Sequence, residues 1–220
     1  MYRLSGVGTR ELSRRKPGEE LDILGPLGNG FDLTSAVADA AAPAKAAVVG
    51  GGIGVFPMLL LSRRLYEAGM PPDIFIGFRD SKSSALTREL GGFSDNINIM
   101  SDDGSIGGKG PVTDAFVSAV GAGAVYGRVY ACGPVPMLRA LRNICETAGV
   151  TAQFSMEQRM GCGIGACLVC ACAVNADTPA TGGKNAPETG GKNAPDSGIF
   201  TYARVCRDGP VFSSDEIIFE

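Results

Sequence analysis

The cysteines in the last third of the chain are the residues whose spacing most directly indicates chemistry. Three follow the pattern C-x4-C-x2-C and a fourth lies further on; the four are Cys162, Cys167, Cys170 and Cys206. This is the spacing of a plant-type [2Fe–2S] loop. Glycines occupy positions 161, 163 and 165. Because glycine has no Cβ, such a loop can wrap closely around a cluster and direct its N–H groups at the sulfur atoms.

Two other uses of these cysteines remain as alternatives. Structural zinc sites usually combine two short C-x2-C pairs, and the second pair is missing here. Disulfides need an oxidising compartment, and the seven cysteines of the chain leave one unpaired. The spacing therefore favours the cluster over zinc, and zinc over disulfides.

The composition limits the remaining function classes. The 220 residues are 45% hydrophobic, which is enough for a packed core, and the net charge of −3 favours neither nucleic acid nor an anionic membrane. The absence of histidine removes the commonest general base and His-ligated metal sites. No apolar run is long enough for a membrane span, and the first residues lack the apolar core of a signal peptide. With unpaired cysteines, these features predict a cytoplasmic protein.

Between residues 46 and 155 short apolar strands alternate with amphipathic helices. This alternation predicts an α/β fold with a Rossmann-like parallel sheet covered on both faces. Strands are expected at 46–49, 73–78, 97–100, 128–131 and 151–155. Helices are expected at 55–68, 84–90, 112–120 and 136–148.

Two turns follow strands of this sheet and are candidate nucleotide contacts. The first consists of Gly50, Gly51, Gly52, Ile53 and Gly54. Its backbone N–H groups and the dipole of the next helix could cradle a diphosphate, although a purely structural glycine turn is the alternative and Pro57 replaces the third glycine of G-x-G-x-x-G. The second turn consists of Cys132, Gly133 and Pro134. It should lie at the same sheet edge, where a small soft side chain could approach a nicotinamide; a buried packing cysteine is the alternative.

The two ends of the chain read differently from the middle. Residues 2–7 and 21–24 are expected to be short strands, followed by a glycine-rich loop at 25–30. Residues 156–220 form a cysteine-rich module with strands expected at 202–206 and 210–212. Within it, the heptapeptide TGGKNAP occurs at 181 and again at 189. Its low apolar content predicts a solvated insertion over 176–198.

The order of these motifs resembles the electron-transfer subunits of class 1B dihydroorotate dehydrogenases, in the ferredoxin-NADP reductase superfamily. The resemblance rests on 25–31, 50–54, 132–134, the four cysteines and 206–212, and it covers nearly the whole chain outside 176–198. It implies an antiparallel FAD barrel, an NAD domain and a [2Fe–2S] domain. It also implies electron transfer between NAD(H) and a separate FMN-containing catalytic subunit in pyrimidine biosynthesis, within a heterotetramer of two subunits of each kind.

The resemblance also implies roles for individual residues, none of them a catalytic acid or base. The four cysteines match the cluster ligands, 50–54 match the NAD diphosphate loop, and 132–134 match the segment beside the nicotinamide. The FAD contacts would be Met1, Tyr2, Arg3, Gly8 and Thr9. The implied domains are a partial FAD barrel at 1–33, the NAD domain at 34–155 and the cluster domain at 156–220.

The chain departs from the family pattern at its start. Roughly two-thirds of the family's barrel precedes the position that matches Met1, and a barrel cannot close on residues 1–33 alone. The sequence therefore predicts a partial barrel and weak retention of FAD. Other readings are a reductase subunit of the sulfide dehydrogenase-like or ferredoxin:NADP type, or a non-catalytic metal-binding scaffold. Cys172 is expected to pack in the core, with exchange into the ligand set as the alternative.

Overall fold

The structure is a computed structural model that describes residues 2, 4–33, 45–175 and 200–219. Predictions that concern Met1, Arg3, the connection at 34–44 and the insertion at 176–198 lie outside these residues. The helices of four residues or more are α1 (Val7–Ser13), α2 (Val55–Glu67), α3 (Thr87–Gly91), α4 (Val112–Gly121) and α5 (Val135–Ala148). The strands are β1 (Lys45–Gly51), β2 (Asp73–Phe78), β3 (Ile97–Ser101), β4 (Gly108–Lys109), β5 (Tyr126–Cys132), β6 (Thr151–Ser155), β7 (Ala171–Asn175), β8 (Phe200–Arg204) and β9 (Val211–Ser213).

Seven of the strands form one sheet in the order β4-β3-β2-β1-β5-β6-β9. The first six run parallel, as predicted, and β9 runs antiparallel to β6. The chain moves outward from β1 to β4 and then returns to β5 on the other side of β1. Ligands of open α/β sheets bind outside the carboxyl ends of the strands at such a switch point. The pairing of Gly50 with Cys132 brings the two predicted turns together there.

The sheet is covered on both faces, which explains why its central strands are apolar throughout. Side chains alternate between the faces along a strand. On one face, Ile74 and Ile76 of β2 join Met58 of α2 in a buried cluster. On the other face, Phe75 meets Phe116 of α4 edge to face, with ring centroids 5.4 Å apart and planes at 89°. Such an aromatic pair contributes about 0.5–1.5 kcal/mol beyond its buried area.

The cysteine-rich module packs directly against the sheet. β7 and β8 pair antiparallel as a separate two-stranded sheet, and their buried side chains belong to the same core cluster as Phe75 and Phe116. The strand predicted at 202–206 is observed as β8, which begins and ends two residues earlier than expected, and the one predicted at 210–212 corresponds to β9. Because β9 joins the edge of the main sheet, the module is bound to the sheet by hydrogen bonds as well as by packing. The boundary at residue 156 stays a prediction.

The strands predicted for the first 33 residues are not formed, and these element predictions are wrong. The described residues 2 and 4–33 contain no named strand, so they form no partial antiparallel barrel, and residues 7–13 are helical instead. A strand needs a partner for its N–H and C=O groups, and residues 4–33 make only the single bridge between Asn29 and Pro210. Local bonds replace that partner, because Thr9 Oγ1 accepts the backbone N–H groups of Ser5 and Gly6 at 3.0 and 3.1 Å.

Among the residues that the structure describes, no helix has both the length and the apolar character needed to cross a membrane.

Candidate functional site

The glycine turn after β1 brings backbone close to a second turn after β5. Residues 52–54 form a short 3-10 turn between β1 and α2. A Cβ added to Gly54 would overlap the carbonyl group of Cys132 and the backbone nitrogen of Gly133. Gly52 has a φ of +55° with open space where a side chain would project. The turn therefore packs tightly on one side and leaves bare backbone at the sheet edge on the other.

A cavity of about 760 Å³ opens at this edge. It brings together most of the predicted nucleotide contacts, because residues 51–54 and 132–134 all line it. Gly50 does not, since it lies within β1 opposite Cys132. The complete lining is Tyr2, Gly51, Gly52, Ile53, Gly54, Phe56, Arg79, Asp80, Ser83, Ala85, Cys132, Gly133, Pro134, Ser155, Met156, Glu157 and Pro210. This volume is within the range of small-molecule and cofactor sites.

Ser155 and Glu157 in this lining were not anticipated from the sequence. Ser155 ends β6 and Glu157 lies two residues beyond it. Because the carboxyl end of β6 lies beside that of β5, the rule that neighbouring parallel strands share a ligand edge would have found both residues. Burial raises the pKa of the Cys132 thiol, a hydrogen bond with Ser155 opposes that rise, and the charge of Glu157 adds to it. Cys132 therefore presents a neutral, polarisable thiol at neutral pH rather than a thiolate.

The predicted FAD contacts are only partly brought to the cavity. Tyr2 lines it. Gly8 and Thr9 lie in α1, outside the lining. The Thr9 hydroxyl oxygen already accepts hydrogen bonds from the backbone N–H groups of residues 5 and 6. Met1 and Arg3 are outside the described residues. The assignment of these five residues to FAD stays a prediction.

The four predicted cluster cysteines lie as two neighbouring pairs. The backbone N–H of Cys162 donates to Cys167 Sγ at 3.4 Å, and that of Cys167 donates to Cys162 Sγ at 3.4 Å. Likewise, the N–H of Cys206 donates to Cys170 Sγ at 3.5 Å. Two pairs of thiols match the needs of a two-iron cluster, which takes two cysteines on each iron.

Backbone donors prepare this loop for anionic sulfur. The N–H of Ala166 also donates to Cys162 Sγ, at 3.2 Å. Hydrogen bonds from backbone N–H groups, that of Cys167 foremost, lower the pKa of Cys162 to about 6. Burial, together with the neighbouring Cys170 thiol, raises the pKa of Cys206. A thiolate is the form that ligates iron, so these hydrogen bonds favour the ligating form of Cys162.

Glycine is required at several points of the loop. A Cβ at Gly161 would lie 2.9 Å from Cys167 Sγ. Gly163 and Gly165 have φ angles of +74° and +82°, and the non-glycine Leu168 adopts a φ of +59° between two ligand positions. These left-handed conformations turn the chain sharply around the thiols. The donor set and the backbone therefore fit a [2Fe–2S] cluster held by residues 162, 167, 170 and 206.

Two observations bear on the alternatives for the cysteines. Within residues 2, 4–33, 45–175 and 200–219, no three His, Cys, Asp or Glu side chains converge in the arrangement of a single-ion site. All seven cysteines are free thiols. Cys172 is buried in β7, where burial and then the charge of Cys170 raise its pKa to about 12. It behaves as an apolar core residue.

An N-terminal strap, residues 27–33, joins the cluster region to the sheet. The N–H of Asn29 donates to the Gly209 carbonyl at 2.5 Å, and its side-chain amide donates to the Asp208 carbonyl at 3.1 Å. Leu27 approaches Gly163 of the cluster loop. At the other end of the strap, the side-chain amide of Gln153 in β6 donates a hydrogen bond to the Asp32 carbonyl at 3.1 Å. The strap thus braces the turn after Cys206 against the sheet.

Comparisons with known proteins indicate the class to which this chain belongs. Residues 157–184 match the family model described as the iron-sulfur cluster binding domain of dihydroorotate dehydrogenase B. The chain is also similar to a solved structure of an NADH-dependent reduced ferredoxin-NADP oxidoreductase. That match has a TM-score of 0.74 and 27% identity and covers 99% of this chain and 67% of the other. The fold and the site therefore define an oxidoreductase subunit of the ferredoxin-NADP reductase type.

Curated relatives specify the family. The chain is 36% identical over 219 residues to the dihydroorotate dehydrogenase B (NAD(+)) electron transfer subunit of Caldanaerobacter subterraneus subsp. tengcongensis, covering 100% of this chain and 74% of the relative. It is 39% identical to the subunit of the same name from Geobacillus sp. strain WCH70, in a match that covers 99% of this chain and 73% of the relative. The chain belongs to the family of dihydroorotate dehydrogenase B electron transfer subunits.

Proposed function

We propose that this chain transfers electrons between NAD(H) and an FMN-containing dihydroorotate dehydrogenase catalytic subunit, by way of FAD and a [2Fe–2S] cluster, in pyrimidine biosynthesis. The observation that carries the proposal is the presence, in one structure, of a nucleotide-type cavity at the sheet switch point and of two thiol pairs in the module packed beside it. The relatives' names agree with it, since they are electron transfer subunits of an NAD(+)-linked enzyme.

The cavity residues would position the dinucleotide. The bare backbone at Gly52 and the start of α2 offer N–H groups and a helix dipole to a diphosphate. Cys132, Gly133 and Pro134 line the same cavity, and the neutral Cys132 thiol could lie against a nicotinamide without repelling hydride. When bound, FAD accepts electrons in pairs and releases them singly, which a one-electron iron–sulfur centre requires.

The cysteine loop would hold the cluster and link it to a partner. Apolar side chains within the loop and next to it are about half exposed to solvent; they are Leu27, Met160, Ile164, Leu168 and Val169. Exposed apolar surface of this kind is typical of protein–protein contacts. It supports docking of the catalytic subunit next to the cluster. We propose that the complex is a heterotetramer with two copies of each subunit. The free thiols support a cytoplasmic location.

A cofactor and reduction assay tests the proposal. The purified chain, reconstituted with iron and sulfide and kept in excess FAD because it should retain flavin weakly, is expected to show iron–sulfur bands that NADH bleaches. Addition of the FMN catalytic subunit together with dihydroorotate should then reduce NAD, and no NAD should be reduced when dihydroorotate is left out. A protein that takes up zinc but no flavin or cluster would contradict the proposal and favour a metal-binding scaffold.

A second candidate is a ferredoxin:NADP-type reductase, favoured by the structural match at 27% identity and a TM-score of 0.74. The same preparation discriminates between the two. Turnover with reduced ferredoxin, combined with failure to form a complex with the dihydroorotate dehydrogenase catalytic subunit, would support this second function.

We also expect NADH to bind more tightly than NADPH. Asp80 and Arg79 line the cavity at the end of β2, where a carboxylate can accept a hydrogen bond from a ribose hydroxyl and would repel a 2′-phosphate. Asp80→Asn should reduce the ratio of NADPH to NADH dissociation constants about tenfold, or about 1.4 kcal/mol. Fluorescence titration with both nucleotides measures the ratio.

The matched control for this prediction is Asp102→Asn. Asp102 follows the neighbouring strand β3 and is exposed, but it does not line the cavity. Its replacement should leave the ratio unchanged. Tighter binding of NADPH to the unmodified chain would overturn the expected preference.

A further inference from the structure

Arg204 carries a largely buried positive charge beside the predicted cluster ligands. It is the last residue of β8, two positions before Cys206, and only 12% of its side chain is exposed. Its Nε donates to Asp208 Oδ2 at 3.0 Å, and one terminal nitrogen donates to Asp208 Oδ1 at 3.4 Å. Asp208 is also buried, with 9% of its side chain exposed. A charge pair with so little exposure acts on its neighbours through a lower effective dielectric than that of water.

The same guanidinium joins the two segments that carry the thiols. Its other terminal nitrogen donates to the carbonyl oxygen of Gly165 at 3.2 Å, within the loop between Cys162 and Cys167. Asp208, its other partner, lies in the turn that follows Cys206, and this carboxylate also accepts the backbone N–H of Arg204 at 2.8 Å. The five donors of an arginine allow it to hold a carboxylate and a carbonyl at once.

We propose that Arg204 is a positioning residue that holds the two ligand-bearing segments together and raises the reduction potential of the cluster, with Asp208 as its anchor. The proposal rests on the proposed function, because it presumes that the four thiols hold a [2Fe–2S] cluster. One-electron reduction adds a negative charge to the cluster. A nearby fixed cation stabilises that charge, and a fixed anion destabilises it.

Four variants test this proposal in the full chain with its cluster assembled. Arg204→Gln removes the charge and shortens the side chain that reaches Gly165. Arg204→Lys keeps the charge but loses the planar guanidinium that donates to Asp208 and Gly165 at once. Asp208→Asn removes the opposing charge. The matched control is Arg207→Gln: this exposed arginine is adjacent to Cys206 and packs on Gly165 through its aliphatic stem, but its charge remains in solvent.

The measurements are iron and sulfide content, the EPR spectrum of the reduced protein, and the midpoint potential from a dithionite titration with mediators. Arg204→Gln should make one-electron reduction about tenfold less favourable, which corresponds to about 59 mV. Arg204→Lys should keep the equilibrium constant of one-electron reduction within about threefold of that of the unmodified chain. It should nevertheless change the EPR line shape. Asp208→Asn should raise the potential, and Arg207→Gln should leave it nearly unchanged, since exposed charges are screened.

The outcomes separate this proposal from the proposed function. A full cluster with unchanged potential in Arg204→Gln overturns the proposal, as does a shift equally large in Arg207→Gln. If Arg204→Gln holds no cluster, Asp208→Asn decides: a raised midpoint potential supports the proposal, and an unchanged one rejects it. Dithionite needs neither NAD nor FAD nor a partner, so an unmodified chain that assembles no cluster contradicts the proposed function itself.

Discussion

The Cys206→Ser variant is expected to lose the visible iron–sulfur bands and nearly all bound iron. Cys206 is buried and its backbone N–H contacts Cys170 Sγ at 3.5 Å, so its thiolate would share one iron with that of Cys170. A serine hydroxyl ionises far less readily than a thiol and is a poor ligand for iron in such a site. Loss of an outer-shell partner alone lowers metal affinity about 10–100-fold. Loss of a ligand should therefore lower the iron content per chain by more than about tenfold.

The same loss is expected for serine replacements at residues 162, 167 and 170. Cys172→Ser is the matched control, because Cys172 is an equally buried cysteine in the same module. It should retain the cluster, with some loss of stability from the buried hydroxyl. Iron content and visible absorption after reconstitution measure both effects. Retention of the bands in Cys206→Ser together with their loss in Cys172→Ser would reassign the fourth ligand.

The second large effect is expected at the glycine turn. Gly54→Ala should weaken NADH binding about 100-fold, or about 2.7 kcal/mol, because the new Cβ would overlap the carbonyl group of Cys132. These are backbone atoms, which cannot move aside as a flexible side chain can. Either the glycine turn or the turn at 132–134 must then shift, and both line the cavity.

Alanine replacements at two further glycines serve as comparisons for Gly54→Ala. Gly52→Ala meets open space but must adopt a φ of +55°, so it should bind NADH severalfold more weakly and lose about 1 kcal/mol of stability. Gly121→Ala, at the end of α4, meets nothing within 4 Å and should bind normally. Fluorescence titration and thermal unfolding together separate lost binding from lost folding. NADH affinity of Gly54→Ala within threefold of the unmodified chain would refute the prediction.

Prediction from sequence succeeded where short-range patterns decide the structure. The strands at 73–78 and 151–155 and the helix beginning at residue 55 occur as expected, since apolar periodicity and flanking glycines act over a few residues. The helix predicted at 84–90 begins later, at Thr87, because Leu86 adopts a φ of +60° and cannot lie inside a helix. β7 was not anticipated, since its few residues have no alternation that distinguishes a strand from a buried loop.

The sequence by itself determined the chemistry of the cysteine loop and the position of the glycine turn, because both depend on residue type and spacing within one local segment. Only the tertiary structure decided what residues from distant segments do together. A strand forms only where a partner strand can accept its hydrogen bonds, so residues 4–33 became a helix and a strap. In the same way, the bond from Arg204 to Gly165 spans 39 positions, and no local pattern encodes a contact between segments that only folding brings together.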